Sequence, residues 1–254
     1  MAADDLAWRV EAACLDAWPC EAETVIDGWL VRFSGGPTRR TNSVNPLRGP
    51  RVEVDDIIPL ARALYAGLGQ PLLFRVPDIA PGLDTALDRL DFALPEAATV
   101  TLHAMLADCP ADASGEARVA GLDDAWLAAR ARLIGWDAAA MAVYTEMLGQ
   151  IAGPTAFASV TSEGRIVAVA YGALSQGLVV IESVVTDEAV RRRGFGRQVV
   201  AALLDWARGA GIGEACLQVL ADNDPAIALY RGLGFTRPLY AYHYRRERPG
   251  AAAI

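Results

Sequence analysis

Lysine is absent from this chain: all 23 basic residues are arginine. Neither a lysine Schiff base nor a phosphate-loop lysine can therefore take part in its chemistry. Cysteine is scarce, and Cys14, Cys20, Cys109 and Cys216 are scattered, with no CxxC pair and no ladder of spacings. That pattern argues against a zinc site and against a disulfide framework, so no metal is expected and the four thiols are expected to be buried and free. Long apolar runs are lacking too. None approaches the roughly 20 residues that cross a bilayer, so no membrane partner is expected. The opening Met1-Ala2-Ala3-Asp4-Asp5 is acidic and has none of the basic-then-apolar character of a secretory signal, which makes the cytoplasm the expected location.

What is present is a globular composition, 53% hydrophobic and 21% charged over 254 residues, enough for one large domain or two ordinary ones. The net charge of −8 is unevenly spread. Residues 1–110 carry nine Arg against 16 acids, net −7, and residues 111–254 carry 14 Arg against 15, net −1. An acidic half repels nucleic acid and anionic lipid. The densest basic cluster, Arg191-Arg192-Arg193, is short and suits a small anionic ligand better than a polynucleotide.

The second half alternates strand and helix signals. Glu116 to Ala120 reads as a short strand and Leu122 to Leu133 as a helix, and Asp137 can cap another helix running to about Leu148. Thr155 to Val160 and Ile166 to Tyr171 flank the turn signal Ser162-Glu163-Gly164 as a hairpin. Leu178 to Val185, nearly all apolar and β-branched, predicts a central strand buried on both faces. Val199, Val200, Leu203, Leu204 and Ala207 fall at helical spacing, and Gly209, Gly211 and Gly213 end that helix. Cys216 to Leu220 is another strand, Asp224 with Pro225 predicts the cap and first position of a short helix through Tyr230, and Leu239 to Arg245 is a last strand. The fold class is α/β, a mixed central sheet flanked by helices.

The first half repeats part of this order. A shift of 143 residues lays Asp56 to Leu68 on Val199 to Gly211, Phe74-Arg75-Val76 on Leu217-Gln218-Val219, and Leu90-Asp91-Phe92 on Leu233-Gly234-Phe235. One offset without a gap over about 38 residues reads as an internal duplication. The polar stretch 108–116 is the best linker, so the expected domains are 1–110 and 115–248.

The chemistry concentrates after the central strand, where Arg191-Arg192-Arg193-Gly194-Phe195-Gly196-Arg197 opens a helix. The first amides of a helix have no internal partner and carry partial positive charge. Two glycines let the backbone close around an oxyanion, and flanking arginines add charge-assisted hydrogen bonds. The dinucleotide-binding fingerprint is absent, because no GxGxxG occurs. A second signature, Asn223-x-x-Ala226-x-x-Leu229-Tyr230 ending in Leu233-Gly234-Phe235, follows about thirty residues on, with a helix and a strand between.

Together these two motifs resemble those of the GNAT N-acetyltransferase superfamily, over about residues 115–245. The resemblance implies an acetyl-CoA-dependent N-acetyltransferase acting directly on an amine of a small molecule or peptide. It implies a gap between the fourth strand and the fifth, with the pantetheine arm against backbone groups of Val184, Val185 and Thr186. The pyrophosphate would rest on the amides from Arg192 to Arg197, with Arg191 beside them. Asn223 would hydrogen-bond the pantetheine arm, and Tyr230 would act as the acid that protonates the departing thiolate. A strand-four amide, that of Val185 being one choice, would stabilise the oxyanion. Glu182, the only acid in that strand and two residues before Val184, is expected on the same face as Val184 and is the first choice of general base or amine-binding group. A wet strand end or an Arg partner would equally account for it, ordered water serves as base in many relatives, and His243 is a further option. His103 reads as structural. Tyr230 has its own bland reading, as a residue packing its helix on the sheet.

At the same offset Arg51 stands for Gly194, Glu53 for Gly196, Ala80 for Asn223 and Leu87 for Tyr230, so the first half reads as a degenerate GNAT-like unit of a tandem, unable to bind CoA. Its stretch from Asp27 to Val44 reads as a hairpin that either walls the acceptor cleft with Trp29, Arg39, Arg40 and Asn42 or only extends the sheet. The competing function is a non-catalytic acyl-CoA-binding regulatory module. The acceptor amine is not encoded by any motif, and both monomer and homodimer fit.

Overall fold

The computed structural model describes residues 3–111 and 116–248. In chain order the elements are α1 (Ala3–Asp16), β1 (Ala22–Ile26), β2 (Trp29–Phe33), β3 (Val44–Pro46), α2 (Val54–Gly67), β4 (Leu73–Pro77), α3 (Leu83–Arg89), β5 (Glu96–Met105) and β6 (Arg118–Ala120). They continue as α4 (Asp124–Ile134), α5 (Ala138–Gly149), β7 (Thr155–Ser162), β8 (Arg165–Ser175), β9 (Leu178–Thr186), α6 (Phe195–Gly209), β10 (Glu214–Leu220), α7 (Asp224–Arg231) and β11 (Arg237–Arg246).

Over the described residues the chain forms two compact units that are not successive stretches: one holds residues 3–19, 101–111 and 116–239, the other residues 20–100 and 240–248. Helix α1 therefore belongs with the second half of the chain. Strand β5 starts in one unit and ends in the other, and β11 does the reverse. Of the stretch 108–116 expected to be a linker, residues 112–115 lie outside the described residues. Its start is packed: Cys109 is buried and its carbonyl accepts a hydrogen bond from Arg208 Nη2 at 2.6 Å.

The larger unit carries the strand order β5-β10-β9-β8-β7-β6, with β9 and β10 parallel and β9, β8, β7 and β6 antiparallel to their neighbours. In the smaller unit β1, β2 and β3 are antiparallel, β3 and β4 parallel, and β4 pairs with β11. The sequence of pairings from β7 to β10 thus repeats from β1 to β4, with α6 and α2 as the matching crossovers. Helix α2, strand β4, helix α3 and strand β5 lie close to 143 residues before α6, β10, α7 and β11. The duplication read from one offset is present in the fold.

Helix α6 buries Val199, Val200, Leu203, Leu204 and Ala207, the residues that its sequence places on one stripe. Burying each of the larger ones contributes about 1.5–3 kcal/mol. On the other side of the unit Trp126, Phe157 and Tyr171 form an aromatic cluster, with Trp126 edge-on to Phe157 at 5.0 Å, and the Tyr171 hydroxyl donates to Ala17 O at 2.8 Å, tying α1 down. The smaller unit has its own core, in which Phe74 meets Trp29 and Phe92 edge-on at 5.7 and 5.6 Å.

Helix α1 is also pinned electrostatically. Arg9 Nη2 lies 2.7 Å from Glu214 Oε2, and the buried His103 places Nε2 2.8 Å from the same oxygen, the structural role expected of it. Burial alone would raise the Glu214 carboxyl, but Arg9 and His103 outweigh it and hold it below the ordinary value. For such a depressed acid, the stabilisation is complete above the unfolded value, near 4.3, and is lost as pH falls through the lower folded value. Glu214→Gln is expected to cost about 2 kcal/mol at neutral pH. Its melting temperature should then fall less than that of the wild type on acidification, so that the two curves converge below about pH 4. Thermal melts across that range check this.

Candidate active site

The site in the larger unit begins where two parallel strands part. The ladder between β9 and β10 ends at Ile181 and Leu217, although β9 runs on to Thr186 and β10 to Leu220. Strand β9 stays paired with β8 to its end, so the opening is on the β10 side. Its first five residues are buried and its last four are half-exposed. The expectation of a strand buried on both faces along its whole length is corrected accordingly: without β10 beside it, the end of β9 is reachable.

A bulge shapes that end. Between Val169 and Tyr171 on β8 the register takes three steps on β9, from Val185 to Glu182, and Ser183 adopts φ 55°. The bulge overturns the expected geometry of Glu182. By register, Glu182 and Val185 face the same side, because their partners Tyr171 and Val169 do, and Glu182 no longer shares a face with Val184. Simple alternation fails because one residue is inserted. Glu182 itself is 5% exposed.

Beyond β9 the chain turns into α6. Arg192 has φ 65° and Gly194 φ 89°, the left-handed region that glycine enters without cost. Gly196 is buried, and a β-carbon there would stand 3.1 Å from Thr186 Oγ1 and 3.2 Å from Leu229 Cδ1. Helices α4, α5 and α7 have their first amides capped by Asp123, Asp137 and Asn223. Helix α6 has no side-chain cap. The amides of Arg192, Arg193 and Gly194 find no backbone acceptor among the described residues, and the first amides of the helix have none by construction. Residues 191–194 and 197 are exposed, whereas Phe195 and Gly196 are buried beneath them. This is a cradle of free donors with positive local potential, and it fits a diphosphate.

The arginines divide their work. Arg191 pairs with Glu188 at 2.8 Å, Arg193 lies over the Phe195 ring at 5.1 Å, and Arg197 Nη1 donates to Gly232 O at 2.8 Å, fastening the end of α7. Asp187 precedes the loop. Its carboxylate accepts from Ala189 N and lies near Arg165 and Arg132, and these interactions hold it below the usual carboxylate range.

Asn223, not Asp224, caps α7: its Oδ1 accepts from Ala226 N at 3.3 Å. The helix begins one residue earlier than expected, because Asn223 O already accepts from Ile227 N at 3.0 Å, and Pro225 falls at the second helical position. Tyr230 projects from α7, 7% exposed and edge-on to Phe235 at 6.2 Å. Its hydroxyl has no hydrogen-bond partner among the described residues. Burial first, then the charge of Glu182, pushes it well above the ordinary phenol value. Cys14 and Cys216 adjoin this region. The Cys216 sulfur and burial raise the Cys14 thiol well above its usual value, so it is no nucleophile.

The sequence reading overlooked Tyr144 and Arg130. The Tyr144 hydroxyl meets Ser183 Oγ at 2.7 Å, at the bulge. Burial pushes that hydroxyl up to about 12, against the pull of Arg130 and Ser183. The available signal was Ser183, a small polar residue inside an apolar strand.

His243 lies in the smaller unit, where its Nε2 is 3.2 Å from Asp84 Oδ1. Trp29, offered as a substrate contact, is 1% exposed in the core of that unit and donates to Val52 O at 3.0 Å. Its position in an aromatic core withdraws it from any cleft. Arg39 pairs with Glu96, and Asn42 bonds Ser34, Gly36 and Thr38 within its own loop. Among the described residues, no group of three His, Cys, Asp or Glu is arranged to hold a metal ion, and no helix is long and apolar enough to cross a membrane.

A parted pair of parallel strands, a bulged fourth strand and an uncapped crossover helix define an acetyltransferase of the GNAT fold. The family model described as "Probable histone acetyltransferase Rv0428c C-terminal" matches residues 8–246, and the chain belongs to this family. It is 26% identical over 247 residues to the "Uncharacterized N-acetyltransferase YobR" of Bacillus subtilis, covering 94% of this chain and 98% of that one. Among solved structures it resembles a GCN5-related N-acetyltransferase from Kribbella flavida, with a TM-score of 0.72, 18% identity and 98% and 96% of the two chains covered. It also resembles a tandem GNAT protein from the clavulanic acid biosynthesis pathway, with a TM-score of 0.65, 14% identity and 98% of each chain covered. These structural likenesses concern the fold, and they match the internal repeat.

Proposed function

We propose that the chain transfers an acetyl group from acetyl-CoA directly to an amine, with its cofactor and catalytic groups between residues 115 and 248 and a degenerate first half. The observation that carries this is the uncapped start of α6 beyond the parted strands. Backbone groups of Val184, Val185 and Thr186 take the pantetheine arm, the amides from Arg192 to Arg197 take the diphosphate, and Gly194 and Gly196 keep the space clear. At the corresponding place in the smaller unit, Glu53 holds the cap position of α2, where α6 has Gly194, and its charge would repel a diphosphate.

The chemistry follows from the positions of the groups. The amine attacks only after losing its proton, because an ammonium has no lone pair. Glu182, close enough to influence both Tyr144 and Tyr230, is the group assigned to hold the amine or take that proton. An amide in the bulged end of β9, that of Val185, faces the charge that develops on the carbonyl oxygen. As the carbon–sulfur bond breaks, Tyr230 gives its proton to the thiolate. Holding both substrates in one opening removes much of the entropic barrier.

Incubation with acetyl-CoA and a panel of amines, followed by free-thiol detection, tests this. Thiol release that depends on amine supports the transferase. Saturable acetyl-CoA binding with no turnover on any amine would leave only the binding-module reading.

Asn223 has two tasks that can be separated. Asn223→Ala removes both cap and amide, so stability should fall by about 1 kcal/mol while the acetyl-CoA Kd rises several-fold. Asn223→Asp keeps a cap oxygen and replaces the amide donors by a negatively charged acceptor. It should melt like the wild type yet bind acetyl-CoA as weakly as the alanine variant, as calorimetry would report.

A further inference from the structure

Arg130 stands out within the larger unit. It is 95% buried by its 5% relative exposure, on α4, yet neither Nε nor Nη1 has a hydrogen-bond partner among the described residues. No carboxylate pairs with it among those residues. Its neighbours are aromatic: the guanidinium carbon lies 5.0 Å from the centroid of Trp136 and 5.2 Å from that of Tyr144. Ring faces attract a cation, but they offset only part of the cost of removing it from water. Other arginines in this unit are handled differently. Arg9 meets Glu214, Arg132 meets Asp187 and Arg208 meets Asp205.

The position connects Arg130 to the reaction site. Tyr144 carries Arg130 over its ring and gives or takes a hydrogen bond with Ser183 Oγ at 2.7 Å, at the bulge beside Glu182. One tyrosine side chain therefore separates a buried, incompletely bonded cation from the strand end where the amine is to be acetylated. A positive group on one side and Glu182 on the other complement a molecule with opposite charges at its two ends.

We propose that the acceptor is a small aminocarboxylic acid whose carboxylate is received by Arg130 while its amine faces Glu182. This rests on the transferase reading of the same site and narrows its substrate class. Both unbonded nitrogens are closed off beside the Trp136 and Tyr144 rings, so those rings must part for a carboxylate to reach them, and it would then satisfy them with charge-assisted hydrogen bonds. Trp136, half-buried in the connection between α4 and α5, would lie along the substrate's carbon chain.

The test uses the full chain with acetyl-CoA and thiol detection. The acceptors are α-amino acids and ω-amino acids of about two to six carbons, each compared with its own carboxamide. At least one acid should be acetylated with kcat/KM on the order of a hundredfold above that of its amide, chiefly through KM. Arg130→Gln should bring that ratio towards one, and Arg130→Lys should restore part of it. Should Arg130→Gln fail to fold, the comparison of acids with amides on the wild type still decides. Amides that match their acids, turnover confined to amines without a carboxyl group, or no turnover with any acid would each overturn the proposal. So would a well-folded Arg130→Gln that keeps full discrimination. A calorimetric titration of acetyl-CoA runs alongside: binding without acid turnover sinks only the acceptor class, whereas absent binding sinks the site beneath it.

Discussion

Gly196→Glu is expected to abolish acetyl-CoA binding in calorimetry. Two effects add. The new β-carbon would stand 3.1 Å from Thr186 Oγ1 and 3.2 Å from Leu229 Cδ1, so the end of β9 and the side of α7 must give way. The new carboxylate then stands where the diphosphate is proposed to rest. At about 4 Å and an effective dielectric near 20, a like-charge pair costs about 4 kcal/mol, roughly a thousandfold in Kd. Gly196→Ala separates the two effects, since it adds the same β-carbon without charge and should weaken binding far less. Circular dichroism melts on both variants show whether the fold survives. A folded Gly196→Glu protein with wild-type affinity would remove the diphosphate from the start of α6.

Much of this cradle was legible in advance, because it depends on local rules. A buried apolar strand, a turn with two glycines and a helical stripe are all written in consecutive residues, and Gly194 proves to need φ 89°. The duplication was legible for the same reason: one offset superposes two helical stripes and two strands. What escaped depends on pairing between distant segments. The bulge at Ser183 exists only relative to β8, and it moved Glu182 away from the side that alternation assigned. Arg130 and Tyr144 looked like ordinary helix residues until α4 and α5 were folded beside β9. The exchange of chain between the units, with β5 and β11 each beginning in one and ending in the other, has no local signature at all. One miss was avoidable. Asp27-Gly28 is the tight turn between β1 and β2, with φ 45° and 88°, and that dipeptide is a strong hairpin signal. Reading the pair as the start of a later hairpin left β1 unrecognised and kept Trp29 available as a surface residue.

Tyr230→Phe should lower kcat roughly a hundredfold, the usual scale for loss of a positioned acid, while the Kd for acetyl-CoA changes little. The asymmetry follows from the surroundings of the hydroxyl. The ring is buried against Phe235, and phenylalanine keeps that packing, so cofactor binding and folding have little to lose. The hydroxyl itself bonds to no described residue, so its removal leaves no protein donor or acceptor stranded. Its proton is firmly held because burial, and then the charge of Glu182, both disfavour the phenolate. The acid form therefore persists across the whole range in which an amine is reactive, and the rise of kcat with pH should report loss of the amine proton, with no fall on the alkaline side from Tyr230. A departing thiolate, with an unperturbed pKa near 8.5, is a weaker base than a phenolate in such surroundings, so full transfer is uphill: the hydroxyl donates to sulfur while the carbon–sulfur bond breaks, and the proton is back on Tyr230 when CoA leaves as the thiolate. The rate loss should accordingly be larger for acetyl-CoA than for a thioester whose thiol is more acidic and needs no proton. Equal losses for both, or full activity of Tyr230→Phe with acetyl-CoA, would leave Tyr230 as packing between α7 and the sheet.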